Sequence, residues 1–402
     1  MVAVQRQFNV TVSFDFYACI NYILNTFPTK HVAMAKIALY LAGGGARGAY
    51  QAGVLKAIHQ LLNVKILPFN MVSGVSVGSI NAAILAEYAD DFSTGIEKLL
   101  ELWGSIHCQQ IFNASNYDFG KSLLRNMSHL FVKGPRSSNL LDTMPLHSFI
   151  NSHVDFKKIK KNIDGGQLDT MEVIAHCYET QQTVSFYQHS AAIFEDWAYP
   201  RHISQRVDLG MSHLLASSAL PLFFPTVDIE NRHYGDGSMG LISPLRGAIR
   251  CHVEKILILG TRPTPRIEFP EKFQLEDVGL ASILGNMLNG LFLDNLDRDI
   301  EMVNRMNDIA KLLSIWKKRS SPWLPIETLH LCPSVDVAKI AQNEYLTMPV
   351  LLRMMLNMLG AQHNSGDLLS FLLFEKEFTQ ALITLGYNDT LARAESVLAF
   401  FY

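Results

Sequence analysis

Short apolar runs alternate with helix-like patterns through the first two thirds of the chain. The segment KIALYLA at 36–42 is continuously apolar and runs into glycines, which is typical of a buried strand. After it, Tyr50, Val54, Ile58 and Leu61 recur at helical spacing and predict an amphipathic helix of about four turns. The periodic part of the chain therefore begins with a strand, a glycine-rich loop and a helix.

Three further segments continue this alternation. The run MVSGV at 71–75 predicts a second buried strand, and it leads into SINAAILAEY at 79–88, which is apolar nearly all round and indicates a central helix. Two strands with a short turn are predicted within 171–187, and KILILGT at 255–261 reads as another buried strand. Strands that alternate with helices imply an α/β fold with a parallel or mixed sheet covered on both faces.

The pattern changes at about position 265. A long helix is predicted over 293–313, and further helices are predicted over 350–360 and 367–387. We therefore expect the last third of the chain to be all-helical. The apolar helix at 350–360 could line a groove or touch a membrane surface, although packing against the sheet is the favoured interpretation.

Composition and charge narrow the class of protein. The 402 residues are 49% hydrophobic and 18% charged, which suits a large buried sheet or an apolar binding surface. The net charge of −3, without a basic block, gives no indication of nucleic-acid binding. The five cysteines are scattered and never spaced C-x-x-C, so we expect reduced thiols and a cytoplasmic protein, with peripheral membrane contact left open. Residues 1–34 contain no run of 18 apolar residues and are interpreted as an extension outside the fold.

A G-x-S-x-G motif lies at 74–78, between the second strand and the central helix. At such a turn a serine is held on a strained backbone with its hydroxyl exposed, and flanking glycines allow the close packing around it. Ser76 is therefore a candidate nucleophile, with Gly74 and Gly78 completing the turn. The alternative is a plain strand–helix connection in which Ser76 caps the helix.

The glycine-rich stretch GGGARG at 43–48 supplies the second candidate feature. A serine nucleophile needs hydrogen-bond donors for the developing oxyanion, and the backbone N–H groups of Gly43, Gly44 and Gly45 could supply them. Arg47 is interpreted as orienting the loop or an anionic group on the substrate, and a helix begins after Gly48. A phosphate-binding loop is the alternative, but no G-x-x-x-x-G-K-[ST] motif is present.

The nucleophile also needs a base, and 14 histidines offer no assignment by spacing alone. The stretch YGDGS at 234–238 places Asp236 between two glycines. A partly desolvated carboxylate can accept a hydroxyl proton directly, but an Asp-Gly pair is usually just a turn. Both interpretations of Asp236 stay open on these grounds.

Taken together and in this order, GGGARG, GVSVG and GDGS resemble the patatin-like phospholipase family. The family pattern is G-G-G-x-[RK]-G, then G-x-S-x-G, then D-G-[GA]; the first two motifs match in full, and Ser238 replaces the usual glycine or alanine in the third. The resemblance implies a three-layer α/β/α sandwich with a mostly parallel central sheet. It further implies that residues 35–265 are the catalytic domain, on which a helical region at 266–402 packs.

The resemblance also implies the chemistry. Ser76 would be the nucleophile and Asp236 the base of a serine–aspartate dyad that acts through an acyl-enzyme, without metal or cofactor. The implied oxyanion hole consists of Gly43, Gly44, Gly45, Arg47 and Gly48.

The expected substrates are lipid acyl esters, and the oligomeric state is left open. The alternatives are an acyltransferase using the same site, a catalytically silent lipid-binding protein, and an α/β-hydrolase with His252 as its base.

Overall fold

A computed structural model of the chain describes residues 35–112, 142–190, 195–263, 280–292, 294–312, 324–358 and 366–402. The predicted N-terminal extension at 1–34 lies outside these described residues.

The strands of the described ranges form one sheet. They are β1 (Ile37–Leu41), β2 (Met71–Val75), β3 (Thr170–Cys177), β4 (Gln182–His189), β5 (Ala198–Tyr199), β6 (His202–Arg206), β7 (Val227–Ile229), β8 (Arg232–Asp236), β9 (Lys255–Leu259) and β10 (Glu327–Leu331).

The helices of the same ranges cover both faces of the sheet. Those before residue 265 are α1 (Ala49–Leu62), α2 (Val77–Glu87), α3 (Phe92–Gly104), α4 (Cys108–Ile111), α5 (Met144–His153), α6 (Phe156–Asp164), α7 (Met211–Ser217) and α8 (Arg246–Arg250). Those after it are α9 (Leu280–Phe292), α10 (Asp294–Leu312), α11 (Val337–Asn343), α12 (Val350–Met358), α13 (Gly366–Leu372), α14 (Lys376–Leu391) and α15 (Ala394–Phe401).

The central part of the sheet is parallel. Its five strands lie in the order β10-β9-β1-β2-β3, and β4, β6 and β5 extend the sheet beyond β3. β3 pairs antiparallel with β4 and also with β8, which in turn pairs antiparallel with β7. The predicted α/β fold with a mostly parallel sheet is confirmed.

The layers follow from the apolar runs of the sequence. Every residue of β1 and β2 is buried, as expected for strands that carry helices on both faces. On one face, side chains such as Tyr40 and Ile258 form a core with Leu245, which directly precedes α8, and Val303 of α10. On the other face lies α2, of which every residue is buried, as the apolar pattern of 79–88 predicts.

The C-terminal region is helical as predicted, with one exception. Strand β10 lies within the region that the sequence pattern predicts as all-helical, and it pairs in parallel with β9 at the edge of the sheet. Leu329 and Leu331 are buried whereas Thr328 and His330 are half-buried, because successive side chains of a strand face opposite sides of the sheet. Five alternating residues leave too weak a pattern to be recognised between long helices.

Helix α14 packs closely against α1. A Cβ atom added at Gly53 would overlap the carbonyl oxygen of Ile383, and one added at Gly386 would overlap that of Tyr50. A glycine from each helix therefore allows the two backbones to approach at the crossing. Among the described residues, no helix is both long and apolar enough to span a membrane.

Candidate active site

Ser76 lies at the turn between β2 and α2. Its backbone has φ 53° and ψ −130°, a region that residues with a side chain rarely adopt. Its side chain makes no capping hydrogen bond to the helix, so the capping alternative has no support. A Cβ atom at Gly78 would overlap the Leu41 carbonyl, and one at Gly74 would overlap the Gly78 carbonyl. The two motif glycines are therefore required by the close packing of this turn.

The register along β3 brings Asp236 next to the end of β2. Val75, the last residue of β2, is paired with Ile174, and Asp236 is paired with the next residue, Ala175. Because β8 runs antiparallel to β3 whereas β2 runs parallel to it, the two strands point towards each other and their carboxyl ends meet. Successive strand residues are about 3.3 Å apart, so Ser76 and Asp236 are neighbours. Asp236 is the last residue of a strand, whereas the sequence indicated a loop.

The carboxyl group of Asp236 is completely buried. Its Oδ1 accepts a hydrogen bond of 2.9 Å from the Ser238 N–H, and its Oδ2 has no well-formed hydrogen bond among the described residues. Burial raises the pKa of Asp236 to about 6, although hydrogen bonding to the Ser76 hydroxyl and to Ser238 favours the charged form. This carboxyl group is therefore ionised at neutral pH and more basic than an ordinary aspartate.

The segment after α7 holds the ends of both strands. Ser217 Oγ accepts a hydrogen bond of 2.9 Å from the Ser76 N–H and donates one of 2.6 Å to the Ile174 carbonyl. The Asp236 N–H donates to the Ala219 carbonyl at 3.0 Å. No motif in the sequence assigns a role to these residues; only their proximity in space does.

The glycine loop leaves β1 beside the turn that carries Ser76. Gly45 has φ 57°, and a Cβ atom on it would overlap the Phe371 carbonyl of α13. The Gly43 carbonyl accepts a hydrogen bond of 2.6 Å from Thr261 Oγ1, and the chain then turns through a short 3₁₀ segment, Gly45–Gly48, into α1. Gly45 and Ser76 line the same cavity.

Arg47 points away from this cavity and into the C-terminal region. Its guanidinium donates to Ser370 Oγ at 2.8 Å, to Asn289 Oδ1 at 3.1 Å, and to Asp367 through both the main-chain carbonyl and Oδ1, and it lies 4.1 Å from the centre of the Phe371 ring. The side chain is only 2% exposed. Of the two roles considered for Arg47, the structure therefore supports orientation of the loop and not contact with a substrate anion.

A buried polar network joins the glycine loop to α2. Asn81 accepts a hydrogen bond of 2.9 Å from Trp103 Nε1 and donates to the Gly48 carbonyl at 3.2 Å and to Gln51 Oε1 at 2.8 Å. Gln51 Nε2 in turn donates to the Ala42 carbonyl at 2.8 Å. The network therefore holds the residues on both sides of the glycine loop against the helix that follows Ser76.

An apolar cavity opens beside Ser76. Its empty volume, including the open mouth, is about 570 Å³, and its polar side chains are those of Ser76 and Ser218. The apolar lining comes from the region before residue 265 and from the C-terminal helical region. It includes Leu102, Trp103, Phe149, Phe224, Leu372 and Phe374.

The histidines near Asp236 in the sequence lie elsewhere in the fold. His252 is exposed in the turn before β9. It therefore lies at the amino ends of the parallel strands, whereas Ser76 follows the carboxyl end of β2. The exposed side chain of His233 is bonded to Glu179 at 2.7 Å, and His213 Nδ1 accepts from the Gly210 N–H at 3.0 Å. The geometry therefore offers no support for the α/β-hydrolase alternative with His252 as its base.

Comparison with known proteins identifies a family. A family model described as patatin-like phospholipase matches residues 39–249. The chain belongs to the patatin-like phospholipase family. Its fold is consistent with the patatin α/β/α architecture.

Two similar proteins illustrate how far this patatin-like chain resembles others. Patatin-like phospholipase domain-containing protein ZK370.4 of Caenorhabditis elegans is 44% identical over 55 residues, which cover 14% of this chain and 4% of that protein. The chain thus matches only a small part of that relative's length. The crystal structure of VipD from Legionella pneumophila is 12% identical over 91% of this chain and 67% of the VipD chain, with a TM-score of 0.34.

Proposed function

We propose that this patatin-like protein hydrolyses lipid acyl esters with Ser76 as nucleophile and Asp236 as general base. The observation that carries the proposal is the meeting of β2 and β8 along β3, which sets the serine turn beside a buried carboxyl group. The pKa of about 6 suits the role of Asp236, because the group is ionised at pH 7 yet basic enough to take a proton in the transition state.

The reaction has two half-reactions. Asp236 takes the proton of the Ser76 hydroxyl as its oxygen attacks the ester carbonyl, and the same proton passes to the alcohol oxygen when the C–O bond breaks. An acyl-enzyme remains. Water then attacks the acyl carbon while Asp236 takes its proton; the bond between that carbon and Ser76 Oγ breaks, Asp236 returns the proton to Oγ, and the fatty acid leaves.

The donors to the oxyanion come from the glycine loop. The Ser76 N–H is bonded to Ser217, and the Arg47 N–H donates to the Gly44 carbonyl at 3.2 Å, so neither is free for the oxyanion. We therefore assign the donors to the backbone of Gly43–Gly45, with Arg47 and Gly48 supporting the loop. Removing one such donor typically costs about 10²–10³ in rate.

The apolar cavity fits the acyl chain of the substrate. Because Phe371, Leu372 and Phe374 line it, we infer that the region 266–402 is part of the active site and not a separate appendage. The same acyl-enzyme could pass its acyl group to an alcohol in place of water, which would make the protein an acyltransferase.

Replacement of Ser76 tests the proposal. Ser76→Ala should abolish labelling by a fluorophosphonate probe and hydrolysis of medium-chain acyl esters, whereas Ser105→Ala, which changes an exposed serine, should retain both. Product analysis with glycerol added would distinguish release to water from acyl transfer. Residual labelling or hydrolysis in folded Ser76→Ala protein would refute the assignment.

A further inference from the structure

A second cavity adjoins the acyl cavity near Ser76. Its empty volume is about 520 Å³, and it shares Leu146, Ser218 and Phe224 with the acyl cavity. The two cavities differ in character. The acyl cavity is apolar apart from its serines, whereas Asp142, Thr143 and His147 add acidic and polar side chains to the second one.

Ser218 lies at the boundary between these cavities. Its side chain is 7% exposed, and its Oγ is buried without a hydrogen-bond partner in the described part of the chain. A buried hydroxyl without a partner is unfavourable, and such groups in native proteins are usually bonded to something. The arrangement therefore indicates a ligand atom at this position.

The neighbours of Ser218 fix its place in the site. Ser217 holds the Ser76 N–H and Ala219 holds the Asp236 N–H, so the residue between them lies beside both members of the proposed dyad. The backbone of Ser218 is itself fixed, because its N–H donates to the Leu214 carbonyl at 3.0 Å. The hydroxyl is therefore held in place by the same segment that joins the two strands.

We propose that the second cavity is a leaving-group pocket that receives a glycerol-type alcohol, and that the Ser218 hydroxyl donates a hydrogen bond to the ester's alcohol oxygen. The proposal rests on the function proposed above. An ester extends in two directions from its carbonyl carbon; the acyl cavity opens beside Ser76, and the second cavity meets the acyl cavity at Ser218. When the C–O bond breaks, Asp236 returns its proton to the alcohol oxygen, and the Ser218 hydrogen bond stabilises the charge that develops there; no bond to Ser218 forms.

Two esters with the same acyl chain test this role. Nitrophenolate is a stable anion that leaves without a proton, whereas the alkoxide of a monoacylglycerol needs help. Ser218→Ala should therefore lower the ratio of kcat/KM for monoacylglycerol to kcat/KM for the nitrophenyl ester by about tenfold, the effect of one hydrogen bond. Ser218→Cys, which keeps a weak donor, should lie between the wild type and Ser218→Ala.

A matched variant separates this role from a structural one. Ser217→Ala should lower both rates together, because Ser217 holds the backbone of Ser76. Leu215→Trp, which narrows only the second cavity, should raise KM for monoacylglycerol more than for the nitrophenyl ester. An unchanged ratio in Ser218→Ala would overturn the proposal.

Binding measurements make the test independent of turnover. In Ser76→Ala protein, the added Ser218→Ala change should weaken monoacylglycerol binding about tenfold but leave fatty-acid binding unchanged, since a fatty acid needs only the acyl cavity. Equal binding of monoacylglycerol with and without Ser218 would contradict the pocket. If the wild type cleaves neither ester while the binding difference persists, the hydrolase assignment fails and the pocket stands.

Discussion

The carboxyl group of Asp236 is a buried acid that the fold holds close to a hydroxyl. Its raised pKa means that ionisation in the folded protein is less favourable than in the unfolded chain, because the folded carboxylate has lost its water. The basicity needed to activate Ser76 therefore comes at the expense of stability at neutral pH.

The sign of this effect gives a prediction for Asp236→Asn. Between about pH 4 and pH 6 the folded protein holds a proton that the unfolded chain has released, so the contribution of Asp236 to stability is lost as pH rises through that interval. A difference of about two pKa units corresponds to roughly 3 kcal/mol. Asp236→Asn should lack activity yet gain stability on that order at pH 8 relative to the wild type.

The measurement is denaturant unfolding of both proteins from pH 3.5 to 8. The stability gap should close towards pH 4, and wild-type kcat/KM should fall below about pH 6 as Asp236 becomes protonated. Asp228→Asn, an exposed change on the neighbouring strand β7, serves as the control and should show no such gap. A gap that is constant with pH would mean that Asp236 does not titrate in this interval.

Local motifs made Ser76 and Asp236 identifiable in the sequence, whereas their supporting residues left no such trace. The glycines around each of these two residues stand at a fixed spacing that can be seen in the sequence. Ser217 acts through contacts with residues more than 40 positions away, Ser76 and Ile174. No periodicity records a contact of that kind, so three-dimensional structure was needed to find it.

At the level of secondary structure, the network of Asn81 and Gln51 connects α2, α1 and the glycine loop. Asn81 is on the helix that begins at Ser76, and its amide bonds to the Gly48 carbonyl at the end of the loop. Gln51 bonds to the Ala42 carbonyl at the start of the loop. The distance between Ser76 and the backbone of the glycine loop therefore depends on two buried amides.

Asn81→Asp should lower kcat with little change in KM. The substituted oxygen would face the Gly48 carbonyl and Gln51 Oε1, so that two hydrogen bonds become repulsions while the acceptor for Trp103 remains. A shift of about 1 Å in catalytic geometry can cost about 10²-fold in rate. Kinetics on the nitrophenyl ester and the rate of fluorophosphonate labelling would measure the effect.

The same substitution at Asn307 provides the control. Its side chain bonds to the backbone of Ile326 at 2.7 and 3.0 Å, on the face of the sheet that α10 covers. Asn307→Asp should lower stability but leave kcat unchanged. Equal effects of the two substitutions on kcat would show that the loss at Asn81 reflects general destabilisation.

Apolar elements were predicted well, and partly exposed polar strands were not. β1, β2, α1 and α2 are continuous or strongly periodic, because each is buried on one face or all round. β8 alternates weakly and is stabilised by its pairing with β3 and β7. Pairing partners that are distant in sequence decide such strands, and local residue patterns do not reveal the partners.

In the whole molecule, the C-terminal region holds the glycine loop in place. The Phe371 backbone packs against Gly45, and the residues that follow it line the acyl cavity. Glu375 then accepts hydrogen bonds from the Cys108 N–H at 3.2 Å and contacts His107 Nδ1 at 3.0 Å, which fixes α4 at the cavity wall. Segments separated by more than 200 residues thus form one site.

Arg47 links these segments through four hydrogen bonds, and its replacement tests whether the glycine loop depends on the C-terminal region. Arg47→Lys keeps the charge but loses the planar fork that reaches Asp367, Ser370 and Asn289 at once. Breaking a buried, bonded charge typically costs about 3–5 kcal/mol, and we expect a loss of about 2–4 kcal/mol here because the lysine retains one partner. Since the glycine loop would then move relative to Ser76, kcat should fall with the stability.

Arg305→Lys, in an exposed pair with Glu301, serves as the control. It should change the unfolding free energy by less than about 0.5 kcal/mol and leave kcat intact. If the unfolding free energy and kcat of Arg47→Lys equalled those of the wild type, the C-terminal region would only cover the glycine loop and not position it.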